Sequence, residues 1–490
     1  MAAATITDAP SIWPNGRPPV VVCTKSKWGD TFTSFTLDHQ VQEKYDKAIE
    51  VLKEEARSML MAEENTISDK LVLIDTLERV FDKFKGDNGK IKETLSDDAK
   101  GQLSLYEAAH LRIHGEQFLE EAVAFTKYHL KRMVQQLECP LQDQVKLALE
   151  QPLHRGIPRI ETRYYISFYE KDNSKNELLL KLAKLDFNFV QNIHKKELHE
   201  LSRWWNEHNP DLSYARNRVA EAYLWGTAYH FEPQYSYARA AITQSIQMLT
   251  VLDDTYDNYA TIEEAQLFDE ILERRNIDAI DQLPDYMKLI YRLVFRMYDD
   301  YEREAAKQGK LFAIPYTKET VEEICRAQTQ ALKWTMGEQL HSFEDYIANT
   351  VITSTIYVMC AWTISGMKSV SKETIDWLRS EPKIVIASAK VCRYLDDLGS
   401  YQAGMDFYMK QHGVSLQETT DKFVELVEDA WKDLNTEWMV KTSVPKDMVE
   451  QVLGYARAAE VFYRNCRDGY AKPEVMAPQN IALFVDPIII

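Results

Sequence analysis

Glycine and proline are scarce, 16 of each in 490 residues, about 3% apiece against averages near 7% and 5%. So few breakers imply long, uninterrupted helices. Cysteine is sparse too. Cys23, Cys139, Cys325, Cys360, Cys392 and Cys466 stand apart with no CxxC pair, which points to a reducing compartment and against a zinc site. No apolar run reaches the roughly 18 residues that read as a membrane span. The first 25 residues carry Pro10, Pro14, Pro18 and Pro19. They lack a secretory apolar region and hold little Arg or Ser for a transit peptide, so the expected location is the cytosol. Positive charge is in deficit, net −18, and no basic run is present, so nucleic acid is not an expected partner. The loops GxxxxGK[ST] and GxGxxG are missing, as are HExxH, GxSxG and an EF-hand loop.

What is there is a core and helical periodicity. Hydrophobic residues make up 45% and aromatics 11%, too many for a disordered chain. Apolar stripes at helical spacing run from Tyr45 to Met59 and from Leu71 to Phe81, with a break at Gly86-Asp-Asn-Gly89. Helices are expected across 105–111, 118–137, 178–205, 216–230, 236–259, 262–274, 284–307, 317–342, 346–365, 371–379, 383–400, 415–436 and 446–466. Strand-like alternation is nearly absent. The fold class is therefore all-α, with a domain boundary expected near 182. His110 and His114 share a helical face but have no third ligand candidate, so both are expected to be structural.

One stretch is electrostatically odd. Gln244-Ser-Ile-Gln-Met-Leu-Thr-Val-Leu-Asp-Asp-Thr-Tyr-Asp257 is an apolar helix that ends in three carboxylates. On a helical wheel Ile246, Leu249, Asp253, Tyr256 and Asp257 share one stripe about 100° wide. Asp253 and Asp257, at i and i+4, lie one above the other; Asp254 points about a quarter-turn away. A carboxylate on an apolar face must be paired, coordinated or protonated. The helix is also expected to end here, because Thr261-Ile-Glu-Glu264 reads as a capping box for the next one, and acids in a last turn oppose the macrodipole. A compensating positive charge is expected, and hard cations such as Mg²⁺ prefer carboxylate oxygen.

A second apolar helix ends the same way, Ile384-Val-Ile-Ala-Ser-Ala-Lys-Val-Cys-Arg-Tyr-Leu-Asp-Asp397. Asp396 and Ser400 offer a carboxylate and a hydroxyl to one cation, with Arg393 one turn away. Arg216-Asn-Arg218 lies 35 residues before Asp253, and arginine suits bidentate contact with phosphate oxygens. Arginines, carboxylates and divalent ions together suggest a bound diphosphate. Without the two acidic motifs, Arg216 and Arg218 would read instead as surface partners of Asp211 or Glu221.

In this order the chain resembles a plant class I terpene synthase, most similar to the sesquiterpene synthases. The resemblance rests on Trp204-Trp205, Arg216-Asn-Arg218, Phe231-Glu-Pro-Gln-Tyr235, Asp253-Asp-Thr-Tyr-Asp257, Arg393-Tyr-Leu-Asp-Asp397, Tyr408-Met-Lys410 and Asp468-Gly-Tyr470. It implies an N-terminal α-helical barrel domain, residues 1–182, and a C-terminal class I terpenoid-synthase helical bundle, residues 183–490. It implies a Mg²⁺ cofactor, with Mn²⁺ as the substitute, held by Asp253, Asp254 and Asp257 and by Asp396 and Ser400. It assigns the diphosphate to Arg216, Arg218 and Arg393, and the carbocation to Trp225, Tyr463 and Tyr470. Asp468 sits on the loop that closes the pocket. The implied reaction is cyclisation of farnesyl diphosphate to a sesquiterpene with release of diphosphate, by a monomer.

The chain departs from the family pattern at several points. The second motif has the form [N/D]Dxx[S/T]xxxE, and Gly404 stands where the Glu is expected. About nine family residues have no counterpart before Tyr408, and several dozen have none where Leu73–Arg79 runs into Val80–Lys85. Pro10-Ser-Ile-Trp13 and Trp28-Gly-Asp30 are separated where the family joins them, and the central residue of Arg-Asp-Arg is Asn217. Two alternatives remain open on the sequence, a weakened family member that binds prenyl diphosphate without turnover and a monoterpene synthase using geranyl diphosphate. A chain-elongating prenyltransferase fits poorly, because the second motif is not DDxxD.

Overall fold

A computed structural model describes residues 26–62, 91, 96–337, 342–400 and 403–490, with the side chains of residues 59–62, 400 and 403 outside the description. The stripe 71–81, the junction at 79–80, the break at 86–89 and the prolines of the first 25 residues lie outside the described residues. Among those described, the chain is helical throughout and no β-strand occurs. It splits into two compact units. One holds residues 36–194 and 482–490, the other 26–35 and 195–481.

The first unit contains α1 (His39–Ala62), α2 (Ala99–Ala109), α3 (Gln117–Met133), α4 (Leu141–Glu150) and α5 (Pro158–Glu170). It also contains the first part of α6 (Glu177–His208), within which the division falls. Tyr106, Leu130, Val134, Val145 and Ala148 form one buried cluster across α2, α3 and α4. Proline at the first position of α5 suits a helix start, where its missing N–H costs nothing. Arg159 lies 4.0 Å from the Phe187 ring and donates to the Phe187 carbonyl at 2.7 Å. His110 donates through Nδ1 to the Tyr106 carbonyl at 2.8 Å, a structural bond.

The second unit carries every residue singled out for chemistry. Its helices are α7 (Val219–Tyr229), α8 (Ser236–Asn258), α9 (Ile262–Glu273), α10 (Asp285–Lys307) and α11 (Ile314–Thr335). They continue with α12 (Phe343–Thr353), α13 (Ile356–Thr363), α14 (Lys372–Arg379), α15 (Lys383–Ser400), α16 (Ala403–His412), α17 (Leu416–Met439), α18 (Lys446–Tyr463) and α19 (Pro473–Phe484). α8 packs against α7 and α13, and α15 against α17 and α18, so the two acid-tipped helices are core elements. The capping box forms as read: Thr261 Oγ1 accepts from Glu264 N, and Glu264 returns to Thr261 N.

The single helix expected over 346–365 is two. Thr355 turns left-handed at φ 71° between α12 and α13. No glycine or proline marks the break. The hydroxyls of Thr350 and Ser354 bond back to the carbonyls of Tyr346 and Val351, a habit that bends helices. Tyr455 then takes up the freed Ser354 carbonyl. The stretch Phe343–Gly366 is apolar and long enough to cross a membrane by composition alone. Here it is broken by Thr355 and packs against α8, α11, α15 and α18.

Candidate active site

The end of α8 meets the cation it needs in Arg216, just before α7. Arg216 places Nη2 at 2.7 Å from Asp253 Oδ2 and Nε at 2.7 Å from Asp254 Oδ1, while its backbone N–H donates to Asp254 Oδ2 at 2.6 Å. The helical wheel put Asp253 and Asp257 on the inward stripe, and the structure reverses this. Asp254 is the buried acid, at 1% exposure, while Asp257 is exposed. The stripe taken for a core face opens on a cleft in the last turn, whereas the flank bearing Asp254 is covered by Arg216. Burial pushes Asp254 up to about 6 despite the guanidinium. Asp257 is open to the cleft, but the protein walls around it, then Asp253 beside it, hold its pKa well above the carboxylate range.

Arg216 and Arg218 diverge. Gln247 receives the Arg218 backbone N–H at 2.8 Å and donates to the Arg216 carbonyl at 2.8 Å, which fixes the segment between them to α8. The Arg218 guanidinium turns from the acids and donates to the carbonyls of Tyr470 and Ala471, at 2.8 and 3.1 Å. Asp468 accepts from the backbone N–H groups of Tyr470 and Ala471. Tyr470 reaches back to Thr250 of α8, oxygen to oxygen at 2.6 Å, and its ring lies 5.7 Å from the Arg216 guanidinium carbon. A Cβ on Gly399 would stand 2.9 Å from the Arg467 carbonyl. Only glycine lets the segment carrying Asp468 lie this close to the end of α15.

The second acid tip repeats the first. Arg393 bonds Asp396 and lies 3.0 Å from Asp397 Oδ1. Burial pushes Asp396 up to about 7, against Arg393; Asp468, Asp397 and Asp253 add to the rise. The acids of α8 and α15 therefore act on one another across the cleft. Asp397, at 0% exposure, faces inward, accepting from Tyr346 Oη at 2.8 Å through Oδ1. Its Oδ2 has no hydrogen-bond partner among the described residues and occupies the space that a side chain at Gly404 would need.

The aromatics gather nearby. Trp225 lies 5.2 Å, ring to ring, from both Tyr455 and Phe462, and Phe462 lies 6.2 Å from Tyr470. Tyr463 belongs to the second acid tip: burial drives its phenol far above its usual pKa, and Asp396 and Asp468 reinforce this. Sequence reasoning missed Tyr346, Tyr455 and Phe462, and also Gln328, which donates to Asp253 Oδ1 at 2.9 Å. Ile324, Gln328 and Leu332 share one face of α11, so a polar residue on an apolar stripe was the available signal.

The donor set suits a hard divalent cation. Asp253, Asp257 and Asp396 supply carboxylate oxygens, and burial raises the carboxyl groups of Asp257 and Asp396 above the ordinary range. Among the described residues no three Asp, Glu, His or Cys side chains converge on one point. Mg²⁺ is commonly bound in that way, by one or two carboxylates plus water and substrate phosphate. Such an all-helical unit, with acid-tipped helices and arginines at one cleft, defines a metal-dependent enzyme that handles a diphosphate.

Comparison with known proteins agrees. A family model described as "Terpene synthase family, metal binding domain" matches residues 206–433, and one described as "Terpene synthase, N-terminal domain" matches residues 78–149. The chain is 45% identical to gamma-cadinene synthase of Ocimum basilicum, over 98% of this chain and 99% of that one. It is 45% identical to gamma-curcumene synthase of Pogostemon cablin, over 96% and 98%. The first alignment spans 543 positions, so at least 53 fall opposite gaps in these 490 residues. Among solved structures, limonene synthase with 2-fluorolinalyl diphosphate superposes with a TM-score of 0.87 at 27% identity, covering 95% and 99% of the two chains. Isoprene synthase from Populus x canescens, in complex with three Mg²⁺ ions and dimethylallyl-S-thiolodiphosphate, gives 0.79 at 31% identity, covering 84% and 81%. The chain belongs to the terpene synthase family. It is a lyase acting on prenyl diphosphates with a divalent metal.

Proposed function

We propose that the protein is a Mg²⁺-dependent sesquiterpene synthase. It ionises farnesyl diphosphate, and the carbocation cyclises and loses a proton to give a hydrocarbon. The observation that carries this is the approach of two acid-tipped helices, each bound to an arginine, close enough for their carboxylates to act on one another. Asp253 and Asp257 on one side and Asp396 with Ser400 on the other would hold Mg²⁺, which supplies positive charge to the leaving diphosphate, while Asp254 spends both oxygens on Arg216 and fixes it there. Arg216 and Arg393 keep their charge at any physiological pH and add hydrogen bonds to the same oxygens. The allylic C–O bond then breaks with its electron pair going to diphosphate, and π electrons of the chain form the new C–C bond. Arg218 anchors the backbone of 470–471, so the segment with Asp468 and Tyr470 stays closed against water. Trp225, Tyr463 and Tyr470 offer ring density to the cation. Free thiols at Cys139, Cys325, Cys360, Cys392 and Cys466 favour a reducing compartment, and we place the enzyme in the cytosol.

Purified protein with farnesyl diphosphate and Mg²⁺, followed by gas chromatography of the extract, tests the proposal. A sesquiterpene is expected, and Asp253→Ala should abolish it. Product from geranyl diphosphate alone would overturn the substrate. A second reading has one observation behind it: position 404 offers no carboxylate, and Asp397 fills its space. Binding of farnesyl diphosphate without any product would favour that weakened form.

A further inference from the structure

We propose that Gln328 is a positioning residue for the first aspartate motif, fixing the Asp253 carboxylate for its metal. The inference rests on the reading of Asp253 as a metal ligand. Gln328 and Thr329 are consecutive polar residues on α11, nearly buried at 7% and 5% exposure between Cys325, Ala327 and Leu332. A buried amide is costly unless hydrogen-bonded, and this one spends its N–H on Asp253 Oδ1, at 2.9 Å. Arg216 holds the other oxygen, Oδ2, at 2.7 Å. Each oxygen of Asp253 thus has one fixed partner, which sets both side-chain torsions of the carboxylate.

Thr329 supplies a second tether. Its hydroxyl donates to Asp269 Oδ2 at 2.6 Å, and Asp269 Oδ1 accepts from Tyr256 Oη at 2.7 Å. Asp253 and Tyr256 lie three residues apart in the last two turns of α8. That helix end would otherwise fray under the mutual repulsion of Asp253, Asp254 and Asp257. Two adjacent residues of α11 hold it at two points. A neutral amide is suited to this work. It fixes the carboxylate without cancelling its charge, as a second arginine would. Hydrogen bonds of this kind around ligating groups change metal affinity about 10–100-fold when removed.

Mn²⁺ binding followed by electron paramagnetic resonance tests the proposal, with Gln328→Leu, Gln328→Asn and Asp253→Ala. The expected result is Mn²⁺ affinity lowered about 10–100-fold in Gln328→Leu. The Mg²⁺ concentration for half-maximal rate should rise in step, with an unchanged KM for farnesyl diphosphate at saturating metal. A merely structural role would lower the melting temperature and leave the metal requirement alone, which would overturn the proposal. Gln328→Asn keeps the amide but is one methylene short of Asp253. It carries the same comparison if the leucine variant does not fold. Parental Mn²⁺ binding in the Gln328 variants, with weakened binding in Asp253→Ala, refutes the role of Gln328. Parental binding in Asp253→Ala refutes instead the assignment of the site.

Discussion

Gly404 stands where the second metal motif is expected to carry Glu, and the structure says what a side chain there would do. An alanine Cβ on Gly404 would stand 2.6 Å from Tyr346 Cε1 and closer still to Asp397 Oδ2. Neither neighbour is a loose surface group. Tyr346 donates to Asp397 at 2.8 Å, and Asp397 is held 3.0 Å from Arg393. Overpacking of a fixed site costs about 1–3 kcal/mol. At roughly 2–4 °C per kcal/mol for a large domain, Gly404→Ala should melt roughly 2–12 °C below the parent. Gly404→Glu, which supplies the ligand type expected there, adds a carboxylate beside buried Asp397 and should lose more. Because Arg393 is tied to Asp397, both variants should also need more Mg²⁺ for half-maximal rate. Differential scanning fluorimetry and a Mg²⁺ titration of product formation measure the two effects. A Gly404→Glu protein as stable as the parent, with a lower Mg²⁺ requirement, would refute the reasoning. It would mean that the backbone at 404 yields and that a carboxylate there can reach the metal.

Arg216→Gln keeps the backbone bond to Asp254 but removes its charged partner, at a cost of about 3–5 kcal/mol. Chemical denaturation should show a larger loss at pH 8 than at pH 5, since Asp254 titrates near 6 and can escape by taking a proton; equal losses would count against the pairing. Burial raises Glu107 to about 7, above its unfolded value of 4.5. Its stability penalty is therefore absent below about 4.5, grows between 4.5 and 7, and is complete above 7. Glu107→Gln keeps an acceptor for the Leu153 N–H, so it should stabilise by about 1–3 kcal/mol at pH 8 and not at pH 4.5, read by denaturant midpoints. Asp257→Asn removes a charge that its neighbours and the helix dipole oppose. Without added metal it should raise the melting temperature at pH 8 while abolishing product; a lower melting temperature would show that Asp257 is satisfied as it stands.

The parts of the site legible in the sequence are those governed by local spacing. Both acid-tipped helices end close to where their composition says, and the Thr261–Glu264 capping box forms because its partners are three residues apart. The demand for a cation at the end of α8 was readable from burial and the macrodipole, and Arg216 meets it. What the wheel could not supply is which side of a helix faces protein and which faces a cleft. It therefore put Asp253 and Asp257 on the inward stripe and Asp254 a quarter-turn away. That ordering depends on the segment before α7, distant in sequence. The break at Thr355 hid for a related reason. It comes from hydroxyl groups competing for carbonyls in a run with no glycine or proline. Tyr455, the residue that takes up the freed Ser354 carbonyl, is 101 residues away.

Gln328 shows how the same physical argument reaches further than motif spacing. The logic that made Asp253 conspicuous, a polar group on an apolar helical face that must find a partner, applies equally to Gln328 on the face of Ile324 and Leu332. The two residues satisfy one another. A buried polar group on one helix thus predicts a complementary one on another. Of the pair, the charged member signals chemistry, because the neutral member cannot cancel its charge. Arg393 and Asp396 repeat the pattern with a charge that can be cancelled, and there burial still leaves the acid near 7. Full compensation at both tips would give a more stable bundle with nothing left to bind a metal. The residual negative charge at α8 and α15 is therefore a cost that the fold retains for function.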